Sequence, residues 1–129
     1  MKVKISYLIS AVNISKKCSD PDYLKIFLNN NKEVPNIVIE TTDKDEMSVL
    51  KELHNHYLKC DFSFYPISLT GFRFLDSETC EVCYNVTVRH FANIATNGSW
   101  YTLAEIQQNN ILLEEYYGEL YFRFRGIAG

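Results

Sequence analysis

Alternation of apolar and polar residues marks the first part of the chain and has the period of a β-strand with one buried face. Lys2 to Ile14 shows it most clearly, with apolar side chains at Val3, Ile5, Tyr7, Ile9 and Ala11. Two further strands are predicted, from Tyr23 to Leu28 and from Val34 to Glu40. Pro35 is acceptable at a strand start because it has no N–H to donate. The N-terminal third is therefore predicted to consist of strands.

After Glu40 the apolar spacing changes to three or four residues, the period of a helix that is buried along one side. A helix over about residues 43–58 is therefore predicted. Thr41 to Asp43 supplies N-cap chemistry, and Asp45 and Glu46 place acids in the first turn, where they stabilise a helix. The stripe that we expect to be buried, and to organise the fold, consists of Met47, Leu50, Leu53 and Tyr57.

The remainder of the chain predicts a long hairpin, short helices and a last strand. The hairpin strands are expected at Phe62 to Leu75 and Glu81 to Phe91, with a turn between them. Pro66 and Gly71 indicate bends or a bulge in the first of these strands. Short helices are predicted at Leu103 to Gln108 and Ile111 to Tyr117, followed by a strand from Glu119 to Arg125. This order indicates an α+β fold with a mixed or antiparallel sheet covered by helices.

Composition and charge narrow the classes of function. The chain has 129 residues, 47% of them hydrophobic, which is enough for the core of one domain. Its net charge is −3 and its basic residues are scattered, so nucleic acid is not the expected partner. No apolar run approaches the ~20 residues of a membrane span. We expect no membrane association and a cytoplasmic location.

Aromatic residues are more abundant than one small core requires. We expect part of the surplus to face a protein partner or a second copy of the chain, because exposed aromatic surface marks interaction sites. The surplus includes Tyr65, Phe72, Phe74, Tyr121 and Phe122. Abundant Asn, Lys, Ile and Tyr suggest an AT-rich genome. On that ground we predict a viral or phage protein, placed in the host cytoplasm or the virion.

The stretch from Pro35 to Leu58 resembles a degenerate Nudix box, GX5EX7REUXEEXGU, and fits its spacing without a gap. Asp43 falls at the first Glu of the pattern, and Lys51 and Glu52 fall at the Arg-Glu pair. The two Glu positions that bind metal in the family hold Asn55 and His56, which share a stripe with Glu52. The segment SWYTLAEI resembles the entry to a late helix in many Nudix proteins. The resemblance implies one Nudix-like domain over residues 1–129, a mixed β-sheet sandwiched by the main helix (about 43–58) and short C-terminal helices.

Departures from the family pattern determine the function that the resemblance implies. Nudix hydrolases hold Mg²⁺ on a glutamate-rich helix face, and Mg²⁺ prefers oxygen ligands. Here two of those carboxylates are replaced by Asn55 and His56, and the two box glycines by Ile37 and Leu58. The leading prediction is a catalytically degenerate module that binds a partner or assembles, with no cofactor.

The alternative prediction is a divergent hydrolase that uses Mg²⁺ to cleave a nucleoside-diphosphate-linked substrate. Glu52 is then the catalytic candidate, and the metal ligands are Glu52, His56 and Asp43. Trp100 and Tyr101 are candidates for stacking on a nucleotide base, with core packing as the competing interpretation.

Cysteine and histidine residues offer a further alternative. His56, Cys60 and the pair Cys80 and Cys83 have the residue types of a zinc site. Residues three apart in a strand point to opposite faces, however, which separates Cys80 from Cys83. The competing interpretation, reduced core cysteines beside a surface pair of His54 and His56, is the one that we favour.

Overall fold

The computed structural model describes residues 1–40, 45–89, 95–109 and 111. These residues form six strands and two helices. The strands are β1 (Lys2–Val12), β2 (Leu24–Asn29), β3 (Asn36–Glu40), β4 (Ile67–Phe74), β5 (Thr79–Val88) and β6 (Gly98–Tyr101). The helices are α1 (Glu46–Tyr57) and α2 (Leu103–Gln108). No helix in these ranges is both long and apolar enough to cross a membrane.

The sheet is mixed and is centred on β1. Its described strands follow the order β4-β5-β1-β2-β6. β1 runs parallel to β5 along almost its whole length. On its other side the N-terminal half of β1 pairs with β3 and the C-terminal half with β2, both antiparallel. The α+β architecture with a mixed sheet is thus confirmed.

Both faces of the sheet are covered by apolar contacts, because alternate residues of β1 point to opposite sides. One face carries Ile5, Tyr7 and Ile9, which form a cluster with Leu50 and Leu53 of α1. The other face carries Leu8, which belongs to a second cluster with Ile106 of α2. The helices therefore lie on opposite sides of the sheet. The region of the predicted helix at residues 111–117 and of the last strand lies almost entirely outside the described residues.

Helix α1 begins later than the sequence indicates and is rotated about its axis. Asp45 is its N-cap, and the Asp45 carboxylate accepts a hydrogen bond from the Ser48 N–H at 2.9 Å. The side chains buried against the sheet are Val49, Leu50, Leu53 and His54. The prediction that Met47 is buried is wrong, since 53% of its surface is exposed. Tyr57 is only partly buried.

Two hydrogen bonds from the sheet fix this rotation of α1. Tyr84 on β5 donates its hydroxyl to Glu46 at 2.7 Å. Tyr7 on β1 shares a hydrogen bond of 2.8 Å with His54. Holding Glu46 and His54 toward the strands turns Met47 outward.

Strand β4 begins at Ile67 and not at Phe62. Asp61 accepts hydrogen bonds from both the N–H and the hydroxyl of Ser63, so the segment after α1 turns instead of extending. The predicted bulge is present, since the register against β5 shifts between Leu69 and Gly71. The first predicted hairpin strand is therefore shorter than expected.

Gly98 at the start of β6 leaves no space for a side chain. A Cβ there would lie 2.2 Å from the Leu28 carbonyl oxygen and 2.5 Å from the Phe27 ring. We expect Gly98→Ala to lower the free energy of unfolding by about 2 kcal/mol, the usual cost of overpacking. Urea unfolding followed by circular dichroism measures it. The control is Ser99→Ala, at the next, exposed residue. Equal stability of the two variants would contradict the close packing.

Candidate functional site

Glu52, the carboxylate that the sequence places at the Nudix metal face, lines a pocket between α1 and β3. The pocket has a volume of about 310 Å³. Its charged groups are Glu52, Glu40 at the end of β3 and Lys2 at the start of β1. Its apolar lining consists of Ile37, Val38, Ile39 and Val49. The segment that contains Asp43 follows β3 but lies outside the described residues.

The two other positions of the predicted metal face do not join this pocket. Asn55 lines a separate depression on the helix surface with Lys51 and Asp61. His56 is exposed, and its ring packs edge-on against Tyr57, with ring centroids 4.6 Å apart. The stripe predicted from Glu52, Asn55 and His56 is thus a solvent-facing surface, and of these three residues only Glu52 lines the pocket.

Trp100 and Tyr101 point to opposite faces of the sheet. Trp100 packs edge-on against Phe27, with ring centroids 5.5 Å apart, in the cluster beside α1. Tyr101 packs against the cluster beside α2. These two residues therefore do not form one stacking platform, and their observed contacts are those of core packing.

The cysteines do not gather into a metal site. Cys80 belongs to the cluster beside α1, whereas Cys83 belongs to the opposite one, as the strand geometry predicts. Burial raises the pKa of the Cys83 thiol to about 12 and also raises the pKa of Cys60. Among the described residues no group of three His, Cys, Asp or Glu side chains is placed to hold a metal ion.

His54 is a buried structural residue, so the prediction of a surface histidine pair is wrong. Its Nε2 lies 2.9 Å from the Cys60 carbonyl oxygen, which can only accept a hydrogen bond. The Nε2 atom therefore carries the proton, and Nδ1 accepts from the Tyr7 hydroxyl. Burial is the main cause that raises the pKa of Tyr7 above its ordinary value. Both ring nitrogens of His54 are engaged, which leaves the imidazole without a free base for catalysis.

The comparison of structures finds proteins similar to this chain, whereas the comparisons of sequences find none. No family model matches the sequence, and no curated protein matches it. Among solved structures, the C-terminal domain of mouse MUTYH in complex with human PCNA has a TM-score of 0.63 at 9% identity, over 98% of this chain and 88% of that one. A MutT structure from an analysis of the Aliivibrio salmonicida and Vibrio cholerae proteins has a TM-score of 0.60 at 14% identity, over 99% of this chain and 97% of that one.

A third structural neighbour is itself described as a NUDIX domain. The NUDIX domain of Shewanella oneidensis NrtR, in complex with ADP ribose, has a TM-score of 0.58 at 14% identity, over 98% of this chain and 88% of that chain. The chain has a Nudix-like fold. The identities are too low to transfer any activity, so the chemistry of this Nudix-like domain must be judged from its own residues.

The described residues of the Nudix-like domain offer few of the oxygen ligands that Mg²⁺ prefers. Mg²⁺ sites are built from carboxylate, phosphate and water oxygens. The helix face offers one carboxylate, Glu52, with the amide of Asn55 and the imidazole of His56 beside it. The other described carboxylate of the pocket, Glu40, comes with the ammonium group of Lys2, which repels a cation.

Sequence reasoning missed Glu40 and Lys2 as neighbours of Glu52. Lys2 and Glu40 are directly opposite each other in the pairing of β1 with β3. Their distance from Glu52 depends on the angle at which α1 packs across the sheet. The local signal in the sequence was a charged residue, Glu40, at the end of β3.

Proposed function

We propose that this protein is a catalytically degenerate Nudix-like domain that works as a binding and assembly module. The observation that carries the proposal is the donor set of the exposed helix face. Glu52 is its only carboxylate among the three positions, and Asn55 and His56 cannot supply the missing negative charges. The loss of charge weakens cation binding directly, because each carboxylate contributes Coulomb attraction to a divalent ion.

A partner-binding role is supported by apolar surface outside the helix face. Leu69, Phe72 and Phe74 on β4 are exposed by 63%, 58% and 61%. Large exposed apolar side chains in one patch are typical of interaction sites. Tyr65 is partly buried, while Tyr121 and Phe122 lie outside the described residues.

The MUTYH domain of similar fold is in complex with a protein, PCNA, and the NrtR domain with ADP ribose. Protein partners fit the exposed β4 surface of this chain, and we place nucleotide binding second.

A divergent hydrolase is the second candidate function. The proximity of Glu52 and Glu40 in one pocket favours it, because paired carboxylates can serve acid–base chemistry. This candidate requires a divalent cation to offset the repulsion between the two acids and the substrate's phosphates, and it requires turnover that depends on Glu52.

The test is hydrolysis by the full chain with Mg²⁺ or Mn²⁺ against nucleotide sugars, dinucleotides and nucleoside triphosphates. We expect no metal-dependent product above the protein-free reaction, and the same result for Glu52→Gln. Glu33→Gln, at an exposed acid in the turn before β3, is the matched control. Metal-dependent turnover near ~1 s⁻¹ that Glu52→Gln abolishes and Glu33→Gln retains would overturn the proposal in favour of the hydrolase.

A further inference from the structure

Four side chains form an apolar strip along β4, here named the β4 strip: Ile67, Leu69, Phe72 and Phe74. Their directly opposite residues on β5 are Val86, Tyr84, Val82 and Cys80, in the same order. All four opposite residues belong to the side of the sheet that carries α1. Since residues opposite each other in an antiparallel pair point to the same face, the β4 strip lies entirely on that side.

The other edge of β4 carries backbone groups without a described partner strand. Within residues 1–40, 45–89 and 95–109, β4 pairs only with β5. An edge strand with free N–H and C=O groups and exposed apolar side chains is a template for pairing with another strand. The β4 strip therefore combines the two features that strand addition uses, backbone hydrogen bonding and side-chain contact.

We propose that two copies of this chain pair through β4, antiparallel, to form one continuous sheet across a two-fold axis. The inference rests on the proposed function as an assembly module and names its partner as a second copy. An axis between Thr70 and Gly71 places Leu69 opposite Phe72 of the other copy, and Ile67 opposite Phe74. Every apolar residue of the β4 strip then meets an apolar residue.

The bulge in β4 makes this self-pairing consistent with the side-chain pattern. Thr70 is the extra residue between the paired positions Leu69 and Gly71. Its hydroxyl donates to the Cys83 carbonyl at 3.1 Å, which anchors it to β5. Because of the extra residue, the odd-numbered side chains before it (Ile67 and Leu69) and the even-numbered ones after it (Phe72 and Phe74) lie on the same face. In the antiparallel register about Thr70 and Gly71, each odd-numbered residue lies opposite an even-numbered residue of the other copy. The apolar side chains of the two copies therefore lie opposite each other.

Charge disfavours the registers that bring Arg73 of the two copies together. Arg73 is the one charged residue of β4, and its guanidinium points to the other face, where it pairs with Glu81 at 3.1 Å. In the proposed register Arg73 lies opposite Ser68. Because Thr70 is an extra residue, the two Arg73 residues are then about 14 Å apart along the strands, beyond the ~8 Å screening length at physiological salt. A register centred on Arg73 would put two guanidinium groups directly opposite, which is destabilising.

The size of the contact sets the expected strength. Stable interfaces bury about 800 Å² per partner over roughly 20–30 residues a side. Strand β4 has eight residues. We therefore expect a reversible dimer whose population rises with protein concentration. Sedimentation velocity over a concentration series should shift the mass of the full chain from 15.0 kDa toward twice that value.

The decisive variant is Phe72→Lys, which places a charge at the centre of the β4 strip. We expect it to weaken dimerisation at least ten-fold while its circular dichroism spectrum and unfolding midpoint stay those of the monomeric wild type. Val38→Lys is the matched control, because Val38 is exposed by 52% on another strand, β3. It should dimerise like the wild type. A monomer at every concentration, or a dimer that Phe72→Lys leaves unchanged, would overturn the self-pairing.

The register has its own test in cross-linking. In a Cys18→Ser background, which removes the exposed native thiol, Leu69→Cys and Phe72→Cys chains are prepared separately and mixed under oxidising conditions. We expect disulfide-linked dimers in the mixture and not in either chain alone, since directly opposite residues alone are close enough for a disulfide. Equal cross-linking in all three samples would exclude this register.

Failure of self-pairing and failure of the proposed function are separable. A monomer without hydrolytic activity refutes only the choice of a second copy as partner. A chain with Glu52-dependent turnover refutes the binding-module proposal whether or not it dimerises.

Discussion

Replacement of His54 by alanine is expected to lower the free energy of unfolding by about 4 kcal/mol, from a cavity and from two lost hydrogen bonds. The ring is fully buried and contacts Phe62 edge-on at 5.3 Å between centroids. Its removal leaves the Tyr7 hydroxyl without its acceptor and the Cys60 carbonyl without its donor. Urea unfolding of the variant, followed by circular dichroism, measures the loss.

His56→Ala is the matched control, because His56 has the same side chain two residues along the same helix and is exposed. We expect its effect to stay within about 0.5 kcal/mol, as is usual for surface substitutions. Tyr7→Phe removes only the hydroxyl and should cost less than His54→Ala. A small effect of His54→Ala, equal to that of His56→Ala, would show that the buried hydrogen bonds do not stabilise the fold.

Arg73→Met is expected to lower the free energy of unfolding by about 3 kcal/mol, because it leaves a buried carboxylate with less compensation. The Glu81 side chain is only 1% exposed. Arg73 contacts one of its oxygens at 3.1 Å, and Lys4 lies 3.7 Å from the other, which also accepts from Ser6. Methionine keeps most of the aliphatic stem of arginine, so the variant removes the charge with little loss of packing.

Arg89→Met controls for the loss of a positive charge, since Arg89 is exposed just beyond β5. The double variant Arg73→Met with Glu81→Met should lose less stability than Arg73→Met alone. An apolar pair removes the buried charge together with its partner, and such replacements are often neutral. Additive losses in the double variant would contradict a direct coupling of Arg73 and Glu81.

Much of the local structure could be read from the sequence because each element leaves a short-range pattern. The alternation in β1 and β5 correctly indicated which side chains share a face. Helix α2 was predicted with its observed bounds, Leu103–Gln108, and its capping box joins Thr102 with Glu105. The resemblance of residues 35–58 to the Nudix box implied a Nudix-like layout, and the comparison of structures confirms it.

The candidate site was predicted less completely, since it is built from distant segments. Glu52 was identified from the box spacing, but its neighbours Lys2 and Glu40 come from other elements. The same reason hid the buried Glu81, whose hydrogen bond to Ser6 joins residues 75 positions apart. A charged residue in a strand looks solvent-exposed until the strands on both sides are known.

The sequence by itself determined most of the elements, the faces of β1 and β5, and the presence of Asn55 and His56 where the Nudix box has carboxylates. Only the tertiary structure decided the rotation of α1, which buries His54 and exposes Met47. It also decided that β4 is an edge of the described sheet, so that Phe72 and Phe74 face solvent. The physical reason is the range of the forces involved. Periodicity reports local burial, whereas helix rotation and strand order depend on hydrogen bonds and packing between segments far apart in the chain.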